Sequence, residues 1–206
     1  MLPAFMAPAA IEFHRLTDEL AICHAYDAAV KADLFSTALA TSAGAFLVDP
    51  ISPAAEMLRV LGDGVEAAGI IISNENHIRA SFEIAQRLSV AIYADPAAGI
   101  EGAVSFEQLP LGLDLETVPI PGAPHGEVAL HCTRNNGTLI VGDAVINFGS
   151  HGFDLLPAKY CVNAKLMRKS LRKLLEYNFE RMLFAHGTPI CSKARDRLRS
   201  LLESAP

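Results

Sequence analysis

The sequence lacks a surplus of basic charge, any apolar run of membrane-spanning length, paired cysteines and internal repeats, and each absence removes a class of protein. Seventeen Lys and Arg against 23 Asp and Glu give a formal net charge of −6. No global positive field draws such a chain to a polyanion, so nucleic acid is not an expected partner. No apolar stretch approaches the roughly 20 residues that cross a bilayer, and Met1 to Ala10, although apolar, lack the basic flank of a signal peptide. The expectation is a soluble, cytoplasmic protein with no membrane partner. Cys23, Cys132, Cys161 and Cys191 lie far apart with no paired spacing, which excludes a zinc knuckle and a redox dithiol motif and fits buried thiols. No linker rich in Gly, Ser or Pro divides the chain, so residues 1–206 read as one domain. Ser36, Ser73 and Ser150 lie in no nucleophile-elbow motif, so serine hydrolysis is not indicated.

What is present is a chain with 51% hydrophobic and 19% charged residues, enough apolar surface for a packed core. Glu19 to Tyr26, Asp33 to Ala40 and Ala45 to Val48 are short apolar or alternating runs bounded by turn residues, the pattern of strands. Ser52-Pro53 followed by Ala54 to Leu61 predicts a short helix stopped by Gly62. Gly69 to Ile72 predicts a buried strand, Ser73 to Asn76 a polar turn, His77 to Leu88 a helix and Val90 to Ala94 the next strand, together a β-α-β unit. Further strands are predicted over Leu113 to Val118, Val128 to Leu130, Thr138 to Val141 and Met182 to Phe184. Helices are predicted over Asn163 to Tyr177 and Ser192 to Leu202. Lys165, Arg168, Lys169, Arg172 and Lys173 form a basic face on the first of these helices, read as a solvated surface.

Three polar sites follow directly on buried strands: Ser73 to Arg79, Asp143 after Val141-Gly142, and His186-Gly187 after Phe184-Ala185. Strand ends hold functional groups rigidly while loops leave them accessible. A fourth polar turn, Pro121 to Glu127, lies between two strands. An acid directly after a buried Leu-Ile-Val-Gly strand is costly unless paired, which favours a pocket role for Asp143. His14, His24, His131 and His151 stand in no motif and read as surface or satisfied core residues.

In order and spacing the four sites resemble those of the metallo-β-lactamase superfamily, over about Glu19 to Ile190. That family carries an H-x-H-x-D-H run after a strand, a later P-G-H turn, a G-D and a G-H-G. Here the corresponding stretches are Ser73-Asn74-Glu75-Asn76-His77-Ile78-Arg79, Pro121-Gly122-Ala123-Pro124-His125-Gly126-Glu127, Gly142-Asp143 and Ala185-His186-Gly187. Aligned without gaps, the metal-binding positions become Asn74, Asn76, Ile78, Arg79 and Ala123, leaving Asp143 and His186 in place.

The resemblance implies a four-layer αββα sandwich with the site at one edge between the sheets. Neutral Asn oxygen is a poor zinc ligand, so a dinuclear centre is not expected. The resemblance leaves room for one zinc or other divalent ion on Asp143, His186 and a displaced imidazole, either His77 or His125, or for no metal at all. Arg79, at a metal-binding position, would pair with Asp143 and stand in for the missing cation. Two functions follow. One is a divergent hydrolase of esters, thioesters or phosphoesters, with Asp143 and His186 on the metal, Arg79 stabilising the oxyanion, and Asn74, Asn76, His77 and His125 contacting substrate. The other is a metal-free pseudoenzyme that binds a small anionic ligand at Arg79 or serves as an assembly module. The apolar segment Leu2 to Ile11 would cover either its own sheet or a second subunit of a homo-oligomer.

Overall fold

The computed structural model describes residues 11–148 and 152–204; the apolar stretch at residues 2–10 and His151 lie outside these. Alternating burial builds two sheets. Strands β1 (Glu12–Arg15), β2 (Leu20–Asp27), β3 (Ala32–Thr41), β4 (Gly44–Val48), β5 (Ala67–Ile71) and β6 (Ile92–Tyr93) pair in chain order into a six-stranded sheet. Pairing is antiparallel through β4 and parallel from β4 to β6. Strands β7 (Leu115–Pro119), β8 (Val128–Cys132), β9 (Thr138–Val141) and β12 (Arg181–Phe184) form a second sheet in the order β12-β9-β8-β7, with β12 parallel to β9. A hairpin of β10 (Val145–Phe148) and β11 (Gly152–Leu155) stands beside it.

The period-2 alternation decides which face each residue serves. Phe46 and Val48 of β4, with Leu20, Ile22, Leu39 and Ile71, meet Val128, Leu130, Ile140 and Leu183 between the sheets. Leu47, Ile70 and Ile72 point the other way, onto Met57 and Leu61 of α1 (Met57–Leu61) and Ile84 and Ala85 of α2 (Ser81–Leu88). On the far side of the second sheet, Leu139, Val141, Met182 and Phe184 pack against Met167 and Leu171 of α3 (Ala164–Lys173) and Leu198 and Leu202 of α4 (Ala194–Ser204). The layers therefore run helix, sheet, sheet, helix, as the family resemblance implies. Gly69 is required where β5 crosses under two rings: a Cβ there would come within 2.7 Å of Tyr93 and 2.9 Å of Phe46.

Several boundaries move. Strand β1 precedes the first predicted strand, and the β10–β11 hairpin adds two strands that the alternation did not single out. The predicted helix over 54–61 divides into a 3-10 turn at Ala54–Glu56 and the short α1. Helix α2 begins at Ser81, four residues later than predicted, because Arg79 takes a left-handed conformation with φ +42 that no helix accommodates. Asn163 caps α3 by accepting from the backbone N–H of Leu166, and Lys165, Lys169, Arg172 and Lys173 are exposed, a solvated face as expected. Among the described residues no helix is long and apolar enough to cross a membrane.

Candidate metal centre

At one edge of the sandwich the loops after β4, β5, β9 and β12 converge, each carrying polar residues off a rigid strand end. Asp49 follows β4, Ser73, Asn74 and His77 follow β5, Asp143 follows β9, and His186 follows β12. Glu127 arrives at the start of β8. All but His186 are buried.

His77 is the hub. Its Nδ1 lies 3.0 Å from Asp49 Oδ2 and 2.8 Å from Ser73 Oγ. Ser73 in turn donates its hydroxyl to Asp49 Oδ2 (2.6 Å) and its backbone N–H to Asp49 Oδ1 (2.8 Å). An ionised carboxylate only accepts, so Nδ1 carries the proton. The opposite nitrogen, Nε2, is buried and makes no hydrogen bond of proper geometry, although it stands 3.2 Å from Asp143 Oδ1. His186 Nε2 approaches the same oxygen at 3.4 Å. These three donor atoms all lie within 4.8 Å of one another.

Asp143 is fixed from behind. The amide of Asn74 donates to Asp143 Oδ2 (3.1 Å) and to Glu127 Oε2 (2.5 Å), while its own oxygen accepts from the N–H of Asn76. The second oxygen of Glu127 accepts from the backbone N–H groups of Asp143 and Ala144. Gly142 makes this possible, since a Cβ there would come within 2.6 Å of Ser73 Oγ and 2.9 Å of both Glu127 oxygens. Asp143 Oδ1 is thereby left to face the two imidazoles.

The charges are strongly biased in the metal-free chain. Burial alone would lower the His77 pKa, but the carboxylates of Asp49 and Asp143 outweigh it and push the group up to about 9. Burial takes His186 down to about 4, with Asp143 too weak a counterweight. Burial, with Asp143 adding its negative charge, pushes Glu127 up to about 8. Asp49 and Asp143 resist their burial and are held below the usual carboxylate range, chiefly by His77.

Of the residues singled out from sequence, Asp143, His186, His77 and Asn74 come together. Asn76 and His125 are exposed, and His125 meets Glu75 only through its backbone. Of the two imidazoles considered for the site, His77 and not His125 lies beside Asp143 and His186. The expected Arg79–Asp143 ion pair is not formed. The Arg79 guanidinium donates to the carbonyls of Phe35 (2.6 Å), Asp49 (2.8 Å) and Ala185 (3.3 Å), because its left-handed backbone turns the side chain toward the open ends of β3 and β12. Asp49 and Glu127 were not anticipated. The signal for Asp49 was present, an acid directly after the buried Phe46-Leu47-Val48 run, as for Asp143. A cleft of about 420 Å³ bounded by Tyr26, Asp27, Leu34, Ile51 and Arg79 shares Arg79 with this rim and none of the three donor residues.

The donor set fits one divalent ion and not two. Zinc bonded to nitrogen and oxygen at the usual lengths in a tetrahedron separates its ligand atoms by roughly 3.3 Å, beside the observed 3.2 and 3.4 Å. A buried imidazole with one nitrogen held by a carboxylate and the other without a hydrogen bond is the arrangement of a metal-binding histidine. Asn74, Asn76, Ile78 and Ala123, at the positions aligned with further ligands, supply no second set of imidazole or carboxylate groups.

The fold has many solved counterparts. The chain is similar to a metallo-β-lactamase from Pontibacter korlensis, at 16% identity and TM-score 0.71, covering 95% of this chain and 100% of that one. It is similar to one from Erythrobacter litoralis with β-mercaptoethanol in the active site, at 12% identity and TM-score 0.73, covering 95% and 97%. It is also similar to the DIM-1 metallo-β-lactamase exposed to ceftazidime, at 13% identity and TM-score 0.75, covering 98% and 100%. At these identities the likeness establishes the metallo-β-lactamase fold. No protein-family model and no curated protein sequence matches the chain.

Proposed function

We propose that the chain is a mononuclear metal-dependent hydrolase acting on an ester, thioester or phosphoester. The observation that carries this reading is the cluster of His77 Nε2, Asp143 Oδ1 and His186 Nε2, in which both imidazole nitrogens stand a tetrahedral edge from the same carboxylate oxygen and all three atoms lie within 4.8 Å, backed by the Asp49 carboxylate on the far nitrogen of His77. A zinc or similar ion on these three residues would polarise a carbonyl or phosphoryl oxygen and acidify a water at its open position.

The chain's own residues have definite parts in this reading. Asp49 and Ser73 fix the ring orientation and tautomer of His77, so that its Nε2 lone pair faces Asp143 and His186. Asn74 holds Asp143 Oδ2 and leaves Oδ1 for the site. Arg79 acts as a positioning residue, since its guanidinium is committed to three carbonyls and ties the loop after β5 to the ends of β3, β4 and β12. The Arg79 guanidinium, already committed to those carbonyls, is not offered to a substrate oxygen, which would leave the electrophile's part to an ion held by His77, Asp143 and His186.

A second reading has its own support. With His77 raised to about 9, a protonated imidazolium between Asp49 and Asp143, together with the nearby Arg79 guanidinium, balances the two carboxylates with no metal ion, which suits a metal-free module. Elemental analysis after purification, incubation with zinc and gel filtration separates the two. The hydrolase reading expects one retained equivalent per chain, lost in His77→Ala and in Asp143→Ala, and turnover of an ester, thioester or phosphodiester probe that tracks it. No retained metal, or retention unchanged in both variants, would overturn it.

A further inference from the structure

A second cluster of ligand-type side chains lies on the edge of the six-stranded sheet, where sequence reasoning found no motif. Glu12 and His14 alternate onto one face of β1, and the antiparallel register sets His24 of β2 directly opposite Glu12. Their other face, through Phe13, packs on the helix side of the sheet. Leu20 and Ile22, four and two residues before His24, lie between the sheets. The cluster therefore continues the inter-sheet face outward, where the four-stranded sheet no longer covers the six-stranded one.

Glu12 Oε2 lies 3.4 Å from His14 Nε2 and 3.6 Å from His24 Nε2, and the three donor atoms fall within 4.8 Å of one another. His24 is held on both sides: its ring stacks on Phe35 at 4.8 Å and on His14 at 5.6 Å. The near-parallel rings, 11° apart, keep their lone pairs in separate planes, so a shared cation requires one ring to turn. His14, with 48% of its side chain exposed, has room to do so. His24 is the preorganised ligand and His14 the one that swings.

We propose that Glu12, His14 and His24 form a second, solvent-facing site for a borderline divalent transition metal such as zinc, nickel or copper. Two imidazoles and one carboxylate suit those ions rather than magnesium or calcium, which favour all-oxygen sets. Three protein ligands leave positions for water. An exposed site of this kind exchanges its ion readily, in contrast to the buried centre.

The test is a zinc titration of the full chain by calorimetry, repeated with His14→Ala, His24→Ala and His77→Ala, and followed in parallel with cobalt absorption. His14→Ala and His24→Ala lie on the solvent-facing edge of the sheet, whereas His77 is buried, and circular dichroism checks that each variant folds. The expected result is a weak equivalent that dialyses away, weakened at least about tenfold in His14→Ala and His24→Ala and unchanged in His77→Ala. A single equivalent abolished by His14→Ala but not by His77→Ala sustains this site and sinks the buried one. Isotherms that His14→Ala and His24→Ala leave unaltered would overturn the proposal.

Discussion

Replacing Arg79 with Met should unfold the protein more easily without emptying the buried centre. Beyond Thr37, which pairs with Val48, β3 runs past the end of β4. There the Phe35 N–H reaches the Ala185 carbonyl at 2.9 Å, and the Phe35 carbonyl is taken by Arg79. Three hydrogen bonds from a charged donor, each worth about 1.5–3 kcal/mol, would suggest a large loss. Two of the three acceptors keep another donor, however. The Asp49 carbonyl retains the Ser36 hydroxyl at 2.8 Å and the Ala185 carbonyl retains the Phe35 N–H. Only the Phe35 carbonyl is left without a replacement side-chain donor, and Met no longer has a guanidinium to desolvate. The net cost is about 3 kcal/mol, which for a chain of this size lowers Tm by roughly 6–12 °C. Thermal and urea unfolding measure it, alongside retained zinc after gel filtration. A Tm shift below about 1 °C, or a stable variant that no longer holds zinc, would refute the assignment of Arg79 to the carbonyls.

In chelator, the wild type should lose stability as pH rises above neutrality. His77 has a folded pKa of about 9 against 6.5 unfolded, so its contribution is complete below pH 6.5 and fades through pH 9, by roughly 3 kcal/mol. Glu127, raised to about 8, pulls in the same direction as it ionises; urea midpoints at pH 6.5, 7.5 and 8.5 follow the decline, and a flat profile would contradict both shifts. Asp49→Asn removes the negative charge behind His77 and puts an amide donor in place of one of the two accepting oxygens, and competition with a chromogenic chelator should show a zinc affinity reduced about 10–100-fold with the stoichiometry kept.

The strands were legible as short apolar runs between turn residues, Phe46-Leu47-Val48 among them, and the β-α-β unit over 69–94 follows from apolar runs separated by polar turns, while the four-layer arrangement came from the family resemblance. The α2 start was misplaced because propensity favours a helix from His77 onward, whereas the positive φ at Arg79 arises from tertiary hydrogen bonds that local sequence does not encode. The β1 strand was missed because it is a four-residue edge whose apolar alternation amounts to Ile11 and Phe13 against the polar Glu12 and His14.

The same backbone detail explains why the centre was only half readable. Aligning the turn position by position assumes that residues 74–79 follow the helix-entering path of a sequence with His at 74 and 76. Here the polar turn extends four residues further before α2, with His77 N–H bonded to the Asn74 carbonyl. Asn74 and His77 thus face inward together, while Asn76 is exposed and Arg79 turns to the strand ends. An imidazole three positions after the amide comes beside Asp143, where the ungapped comparison expected the Arg79 guanidinium, and Asp49 fixes it there. Ligand identity is written in residue types, but ligand position is set by the turn. A turn held by Asn74, Arg79 and Glu127 across four strand ends becomes visible only when those ends are brought together.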